Sequence, residues 1–245
     1  MTESRFQLSR GDAVDWLRTL PDESIDLVVT DPPYESLEKH RAIGTTTRLK
    51  HSKASSNDWF EIFPNARFKE LFVEVERVLK RNTHFYLFCD PETMFVAKPI
   101  AEEVGFKFWK PIIWNKERLG MGYHYRAIYE CILFFEKGKR KLNNLGISDI
   151  ISHPRVNGGY PAEKPPQVSA VLIGQSTQPG ELVIDPFMGS GSVGVAAASL
   201  GRNFMGNDLC REAVDITRQR LLDSGAIELN TTLRGDEHPQ LGLGV

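Results

Sequence analysis

The chain has 245 residues, 41% of them hydrophobic and 25% charged, which is typical of one soluble α/β domain with at most a modest insertion. The formal net charge of −2 gives no global sign of nucleic-acid binding. The first residues do not resemble a signal peptide, and no apolar run is long enough to cross a bilayer. Three widely spaced cysteines, Cys89, Cys131 and Cys210, indicate neither a disulfide framework nor a metal site, so a cytoplasmic protein is expected.

Short apolar runs alternate along the chain with segments of helical periodicity. The predicted strands are Phe6–Leu8, Ile25–Val29, Thr83–Cys89, Phe106–Trp114, Ala127–Phe135, Leu182–Ile184 and Asn203–Met205. The predicted helices are Ala13–Leu20, Arg67–Leu79, Pro91–Val104, Gln167–Gln175, Val193–Leu200 and Arg211–Leu222. This alternation predicts an α/β fold, with a mostly parallel sheet and helices on both faces.

The stretch from Ile25 to Tyr34 has the sequence I-D-L-V-V-T-D-P-P-Y. Its β-branched run predicts a buried parallel strand that delivers Asp31 to the carboxyl edge of the sheet, where α/β folds bind ligands. Pro32 and Pro33 keep the backbone extended, because each bars the preceding residue from the helical region. Asp31 and the Pro32 carbonyl then form two fixed acceptors beside an aromatic ring, which suits a planar substrate that carries an NH₂ group. The alternative is an ordinary turn with the tyrosine at its rim.

A second motif, E-L-V-I-D-P-F-M-G-S-G-S-V-G, predicts a buried strand, a glycine turn and the start of a helix over residues 181–194. Gly189, Gly191 and Gly194 match the pattern G-x-G-x-x-G, and Asp208 follows at the end of the next predicted strand. The pattern indicates a nucleoside-like ligand against the turn. A nicotinamide oxidoreductase is a distant alternative, because too little chain follows for a second dinucleotide half unless the sheet is permuted.

Two loop-like regions, residues 35–65 and 115–166, are long for a compact domain, and such loops are commonly functional. The second contains G-M-G-Y-H-Y-R, which is typical either of a loop that approaches a ligand closely or of a simple hairpin connection. Basic side chains cluster in both regions, at Arg48, Lys50, Lys53, Lys139 and Arg140. Such clusters are usually solvated surface unless other features point to nucleic acid.

Together, the two motifs resemble those of the S-adenosylmethionine-dependent amino-methyltransferases of nucleic acid, in the permuted order called the beta class. In that order the D-P-P-Y tetrad precedes the glycine motif. The resemblance also covers G-D-A-V-D-W-L near the start, E-K-P-P-Q-V-S-A-V-L-I-G before the glycine motif, and G-N-D-L-C-R-E-A-V-D after it. It implies a Rossmann-like, seven-stranded methyltransferase sheet that is circularly permuted and forms one catalytic domain over residues 1–245.

The resemblance also implies roles for individual residues. The implied catalytic tetrad is Asp31, Pro32, Pro33 and Tyr34, with the tyrosine stacked on the substrate base. The implied contacts of the cofactor S-adenosylmethionine are Asp185, Phe187, Gly189 and Gly191 at its methionine part, Asp208 at its ribose hydroxyls, Asp12 near its adenine, and Lys164 beside it. No metal is implied.

The implied reaction is methyl transfer to the exocyclic N6 amine of a flipped-out adenine in duplex DNA. Adenine is favoured because the family usually has aspartate at the first tetrad position for adenine, and commonly serine for cytosine. Regions 35–65 and 115–166 are the candidate DNA-recognition loops, and their small size predicts a short or weak recognition sequence. The predicted substrate contacts are Arg48, Lys50, Lys53, Tyr123, Arg126, Lys139 and Arg140.

Other functions remain open at this point. G-M-G-Y-H-Y-R also resembles a segment of the MT-A70 RNA-adenine methyltransferases, so RNA is the nearest rival substrate and the N4 amine of cytosine in DNA is the next. A non-catalytic nucleic-acid-binding regulator would show decay of the tetrad or glycine turn, and neither is decayed. The expected setting is a bacterial or phage-encoded enzyme, in restriction–modification or phage biology, with a homodimer as an open alternative and no membrane partner.

Overall fold

The computed structural model describes residues 3–35, 61–120, 125–156 and 163–229. The strands are β1 (Arg5–Arg10), β2 (Ile25–Thr30), β3 (Leu79–Cys89), β4 (Lys107–Asn115), β5 (Tyr129–Lys137), β6 (Ile150–Ser152), β7 (Leu182–Asp185), β8 (Asn203–Asp208) and β9 (Ile227–Glu228). The helices are α1 (Ala13–Arg18), α2 (Phe68–Val78), α3 (Pro91–Val104), α4 (Pro166–Ser176), α5 (Ser192–Ser199) and α6 (Arg211–Asp223). A 3₁₀ turn at Asn65–Arg67 leads into α2.

These strands form one sheet in the order β6-β4-β5-β3-β2-β7-β8-β1-β9. β5 runs antiparallel to its two neighbours, and the other pairings are parallel, so the predicted mostly parallel α/β fold is confirmed. The predicted count of seven strands is wrong, because the described residues form a sheet of nine. The two additional strands, β6 and β9, are edge strands of 3 and 2 residues, too short to leave an apolar period in the sequence.

Apolar side chains pack on both faces of the sheet. One core cluster joins the strands to α1, α2 and α3, and the other joins them to α4, α5 and α6, which agrees with the predicted helical layers. β2 is buried along its whole length: Val28 belongs to the first cluster, and Leu27 and Val29 belong to the second. Across the described ranges, no helix combines the length and the apolar composition that a bilayer crossing would need.

The ligand crevice lies where β2 and β7 meet at the centre of the sheet. Leu27 pairs with Val183 and Val28 with Ile184, so the two strands that carry the sequence motifs lie side by side. The chain leaves β2 toward β3 on one side and leaves β7 toward β8 on the other. Parallel sheets bind ligands outside the carboxyl ends of strands at such a switch point.

Side-chain hydrogen bonds tie the β2–β7 pair at both ends. At the amino end, the buried Asp26 carboxylate accepts the Leu182 N–H at 2.9 Å and the Lys80 ammonium at 2.7 Å. At the carboxyl end, the Thr30 hydroxyl donates to Asp185 at 2.7 Å. Because the backbone pairing between β2 and β7 is short, these contacts help to fix its register.

We therefore expect Asp26→Ala to lower the free energy of unfolding by about 1–3 kcal/mol, since it leaves the buried Leu182 N–H without its acceptor. The matched control is Glu102→Ala, which breaks an exposed ion pair with Lys98 on one helix and should change stability by less than about 0.5 kcal/mol. Urea unfolding of both variants measures the difference. Equal stabilities for Asp26→Ala and the wild type would show that the hydrogen bond between Asp26 and Leu182 does not stabilise the fold.

Candidate active site

A cavity of about 1230 Å³ opens at the carboxyl edge of β2 and β7. This volume exceeds that of most single-ligand pockets, so the cavity has room for two ligands side by side. Most of the predicted catalytic and cofactor residues line it: Asp12, Asp31, Pro32, Pro33, Tyr34, Lys164, Asp185, Phe187, Gly189 and Asp208. Residues from both ends of the chain thus meet at one site.

Asp31 directly follows β2, and each of its carboxylate oxygens has a donor. The Tyr34 hydroxyl donates to Oδ1 at 2.6 Å, and the Lys164 ammonium donates to Oδ2. A carboxylate oxygen has two lone pairs, so both oxygens retain a position for a further N–H donor. Asp31 is therefore oriented by the protein and still able to accept a substrate amine.

Tyr34 is held by the core as well as by Asp31. Its side chain is 7% exposed and belongs to the cluster beneath α2. Burial, together with the neighbouring Asp31 carboxylate, raises the pKa of Tyr34 well above its ordinary value, so its hydroxyl remains a donor. The Pro33 carbonyl accepts the Phe63 N–H at 2.8 Å, which anchors the tetrad backbone. Stacking of the tyrosine ring on a base stays a prediction.

The glycine turn connects β7 to α5 and touches the end of β8. The Gly189 N–H donates to Asp208 at 2.9 Å, and the Cys210 N–H donates to its other oxygen at 2.8 Å. Gly191 has a φ of +79°, and a Cβ added there would lie 2.5 Å from the Thr217 side chain. Gly191 thus lets the turn pack against α6, behind the residues that line the cavity.

Three of the carboxylates that line the cavity, Asp31, Asp185 and Asp208, have different electrostatic surroundings. Burial raises the pKa of Asp185 to about 7, against the lowering effect of its hydrogen bonds from Thr30 and the Phe187 N–H. Burial also raises the pKa of Asp208. Asp31 adds a third acidic group beside Asp185, and a cationic ligand would relieve the resulting repulsion.

Asp12 is engaged by a residue that the sequence analysis missed. The Arg67 guanidinium binds its two carboxylate oxygens at 2.6 and 2.9 Å and lowers the pKa of Asp12 to about 2. Asp12 also caps α1 by accepting the Val14 and Asp15 N–H groups. It lines the cavity as a paired carboxylate, and its position near a cofactor adenine stays a prediction.

Two more cavity residues were missed. Ser169, on α4, is fully buried, and its hydroxyl has no hydrogen-bond partner within the described residues. Glu130, on β5, lies close to Lys164 and Lys116. The sequence signal for Ser169 was its place in the K-P-P-Q-V-S stretch, whereas nothing local distinguishes Glu130 from other acidic residues at the start of a strand.

The predicted substrate-binding residues fall into three groups. Arg48, Lys50, Lys53 and Tyr123 lie outside the described residues. Arg126 is exposed on the connection between β4 and β5, near the cavity-lining Ala127, and donates to the Gly120 carbonyl at 2.6 Å.

Lys139 and Arg140 form the third group, and the structure does not bring them to the cavity. β5 is antiparallel to β3, so the residues that follow β5 lie at the opposite edge of the sheet from Asp31. There the Lys139 N–H donates to Asn82, and Arg140 pairs with Glu181 at 3.1 Å. Their contact with a substrate stays a prediction that this placement does not favour.

A protein-family model described as DNA methylase matches residues 25–219. The chain belongs to this DNA methylase family. It is also 25% identical to the Type II methyltransferase M.HinfI of Haemophilus influenzae, over 86% of this chain and 67% of that protein. The family resemblance predicted from the two motifs is confirmed.

Two solved structures share the fold of this DNA methylase. The M1.HpyAVI–SAM complex matches with a TM-score of 0.65 and 22% identity, over 88% of this chain and all (100%) of that one. The cytosine-N4-specific PvuII DNA methyltransferase matches with a TM-score of 0.68 and 19% identity, over 91% of this chain and 88% of that one. These likenesses show the fold alone and do not decide between adenine N6 and cytosine N4 as the methylated amine.

We expect Gly191→Ala to destabilise this DNA methylase by about 1–3 kcal/mol, because a side chain there combines a left-handed backbone with overpacking against Thr217. Gly174→Ala is the matched control: it lies inside α4 with open space around its Cβ, and alanine there should stabilise by up to about 1 kcal/mol. Thermal unfolding of the two variants compares them. A Gly191→Ala variant as stable as Gly174→Ala would show that the turn tolerates a side chain.

Proposed function

We propose that this DNA methylase transfers a methyl group from S-adenosylmethionine to the exocyclic N6 amine of a flipped-out adenine in DNA. The observation that carries the proposal is the presence of Asp31 and Asp185 in one cavity, on adjacent strands tied by Thr30. Adenine is favoured over cytosine because the first tetrad residue is aspartate, which resembles the adenine-specific members of the family.

The residues around the glycine turn fit this cofactor. Asp185 is a buried carboxylate that accepts from the Thr30 hydroxyl and the Phe187 N–H and has no cationic partner among the described residues, so it suits the ammonium end of the methionine part. Asp208 is oriented by two backbone N–H groups and suits the ribose hydroxyls. The unpartnered hydroxyl of Ser169 is a further donor at the cavity wall. S-adenosylmethionine supplies a methyl group on a positively charged sulfur, which keeps the electron pair of the broken C–S bond.

Asp31 would act on the substrate amine. An exocyclic amine is a poor nucleophile, because its lone pair is delocalised into the ring of the base. When Asp31 accepts a hydrogen bond from one N–H group of the amine, the nitrogen lone pair is directed toward the methyl carbon. The charge-assisted bond strengthens as positive charge develops on nitrogen, so it favours the transition state over the ground state. After the N–C bond has formed, the nitrogen releases one proton.

The base must leave the DNA stack to reach Asp31, because the cavity lies inside the carboxyl edge of the sheet. The described residues stop at Glu35 and resume at residue 61, so region 36–60 lies between them in the chain. The Glu35 carboxylate accepts the Asn65 N–H at 2.7 Å. Tyr34 and Glu61, which are described on either side of that region, both line the cavity. On the other side, the two arms between β4 and β5 pair through Lys116–Ile128 and Gly120–Ala127 backbone bonds and present Arg126. We infer that these two regions contact the DNA around the flipped base, with Arg126 at a phosphate.

The direct test is methyl transfer from labelled S-adenosylmethionine to unmethylated duplex DNA, single-stranded DNA and RNA in parallel, followed by nucleoside digestion and mass analysis. The expected product is N6-methyladenine from DNA. Asp31→Ala should reduce transfer on the order of 100-fold or more, because it removes the acceptor of the amine N–H bond. It should still bind S-adenosylhomocysteine, since the cofactor residues lie on β7, β8 and the glycine turn.

Other outcomes would change the proposed substrate or overturn the proposed mechanism. N4-methylcytosine would place this chain with the cytosine-specific members, and label confined to RNA would make RNA the substrate. Near-normal turnover by Asp31→Ala would overturn the role of the tetrad. Cofactor binding without any methyl transfer would favour a non-catalytic, nucleic-acid-binding function.

The acidity of Asp185 gives a second test. Its pKa of about 7 means that it is mostly protonated at pH 6 and mostly ionised at pH 8 in the free protein. A ligand ammonium favours the ionised form, so S-adenosylhomocysteine should bind about tenfold more weakly at pH 6 than at pH 8. Titration calorimetry at the two pH values measures this ratio.

Two variants separate the contributions to binding. Asp185→Asn should bind weakly and lose the pH dependence, whereas Asp208→Ala should weaken binding and retain it. Equal affinities of the wild type at pH 6 and pH 8 would show that Asp185 does not contact the cationic end of the ligand.

A further inference from the structure

A row of four charged side chains extends from Asp31 along the cavity wall. Lys164 contacts the Oδ2 atom of Asp31, and its ammonium lies 3.4 Å from Glu130 Oε2. Glu130 Oε1 lies 2.7 Å from the Lys116 ammonium. The signs alternate along the row, so every charge has a neighbour of opposite sign. All four residues line the cavity.

The row is mostly shielded from water, so the attractions between its charges are stronger than they would be in solvent. The side chains of Lys164 and Lys116 are 12% and 14% exposed. Burial lowers the pKa of Lys164, but the carboxylates of Asp31 and Glu130 outweigh it and hold that pKa above its ordinary value. Burial likewise raises the pKa of Glu130, and the two lysines outweigh it, so the net pKa is lowered. Lys164 and Glu130 are therefore both charged at neutral pH.

The backbone that carries Lys164 is fixed to the glycine turn. The neighbouring Glu163 pairs with Arg220 at 2.9 Å, and the Arg220 guanidinium donates to the Ser190 carbonyl at 2.8 Å. Two residues after Lys164, Pro166 begins α4. Lys164 therefore lies between Glu163, which is tied to the glycine turn, and the first residue of a helix. Its ammonium is consequently aimed at Asp31 by structure on both sides.

We propose that Lys164 is a positioning residue for methyl transfer: its ammonium holds the Asp31 carboxylate oriented toward the substrate amine, with Glu130 as counter-ion. The inference rests on the proposed function, because it concerns the group that accepts the amine N–H bond. It differs from the role beside the cofactor that the sequence resemblance implies for this lysine.

Glu130 has a specific part in this arrangement. An unpaired ammonium beside Asp31 would offset the negative charge that stabilises the developing positive charge on the substrate nitrogen. Glu130 offsets part of the Lys164 charge from the far side, and Lys116, farther along the row, offsets part of the Glu130 charge. The substrate amine then encounters a carboxylate that is fixed in place and whose charge is only partly offset.

Lys164→Met tests the proposal through the separation of kcat from cofactor binding. We expect kcat to fall roughly 10- to 100-fold, as for partners that orient a reactive group, with the Kd for S-adenosylhomocysteine nearly unchanged. Lys98→Met, which breaks an exposed pair with Glu102, is the control and should leave both quantities unchanged.

A triple variant guards against loss of the fold. Lys164→Met with Glu130→Gln and Lys116→Gln removes every charge of the row beyond Asp31 and leaves none of those three side chains as an unpaired charge, so it should melt near the wild-type temperature and still show the lowered kcat. Wild-type kcat in a folded Lys164→Met variant would overturn the inference. A weakened Kd with unchanged kcat would do the same, and would return Lys164 to the cofactor. If the wild type itself methylated no nucleic acid, the proposed function would fall first, and this inference with it.

Discussion

The pairing of β2 with β7 is the contact on which the site depends. It joins two motifs about 155 positions apart, and the Thr30–Asp185 hydrogen bond closes the pair at the edge where the cavity begins. Asp31 follows one strand and the glycine turn follows the other, so the distance between the proposed amine acceptor and the proposed cofactor is set by the sheet. Loops could not fix that distance as well, because strands in a packed sheet move little relative to one another.

The cavity has many acidic side chains in its wall, and three of them are held there by different means. Asp31 has a cation and a phenol, Asp208 has two backbone N–H groups, and Asp185 has a hydroxyl and one N–H. Of these, Asp185 has the least compensation for its charge, which is why burial dominates its pKa. A site of this kind favours a ligand that carries positive charge at one end, and its acidic groups are already in position before the ligand binds.

The sequence predicted the parts of the fold and the site that are encoded locally. Apolar runs that end at Asp31, Asp185 and Asp208 gave the strands and the edge of the sheet, and the glycines gave the turn. Contacts between distant residues could not be predicted, such as Lys164 with Asp31, 133 positions apart, or Arg67 with Asp12, 55 apart. The direction of β5 could not be predicted either. The basic residues Lys139 and Arg140 were expected near the substrate, but β5 is antiparallel and places them at the edge of the sheet opposite Asp31.

Phe63 shows how the two halves of the cavity become one packed unit. Its N–H donates to the Pro33 carbonyl of the tetrad at 2.8 Å, and its ring meets the Phe187 ring of the cofactor turn edge-on at 5.0 Å. The Arg67 guanidinium lies over the face of this ring, 5.2 Å from its centre, while it binds Asp12. A shift of the tetrad would therefore disturb the proposed cofactor wall as well. The proposed methyl-donor and acceptor sites are thus aligned by side-chain packing in the protein itself, and not only by ligands.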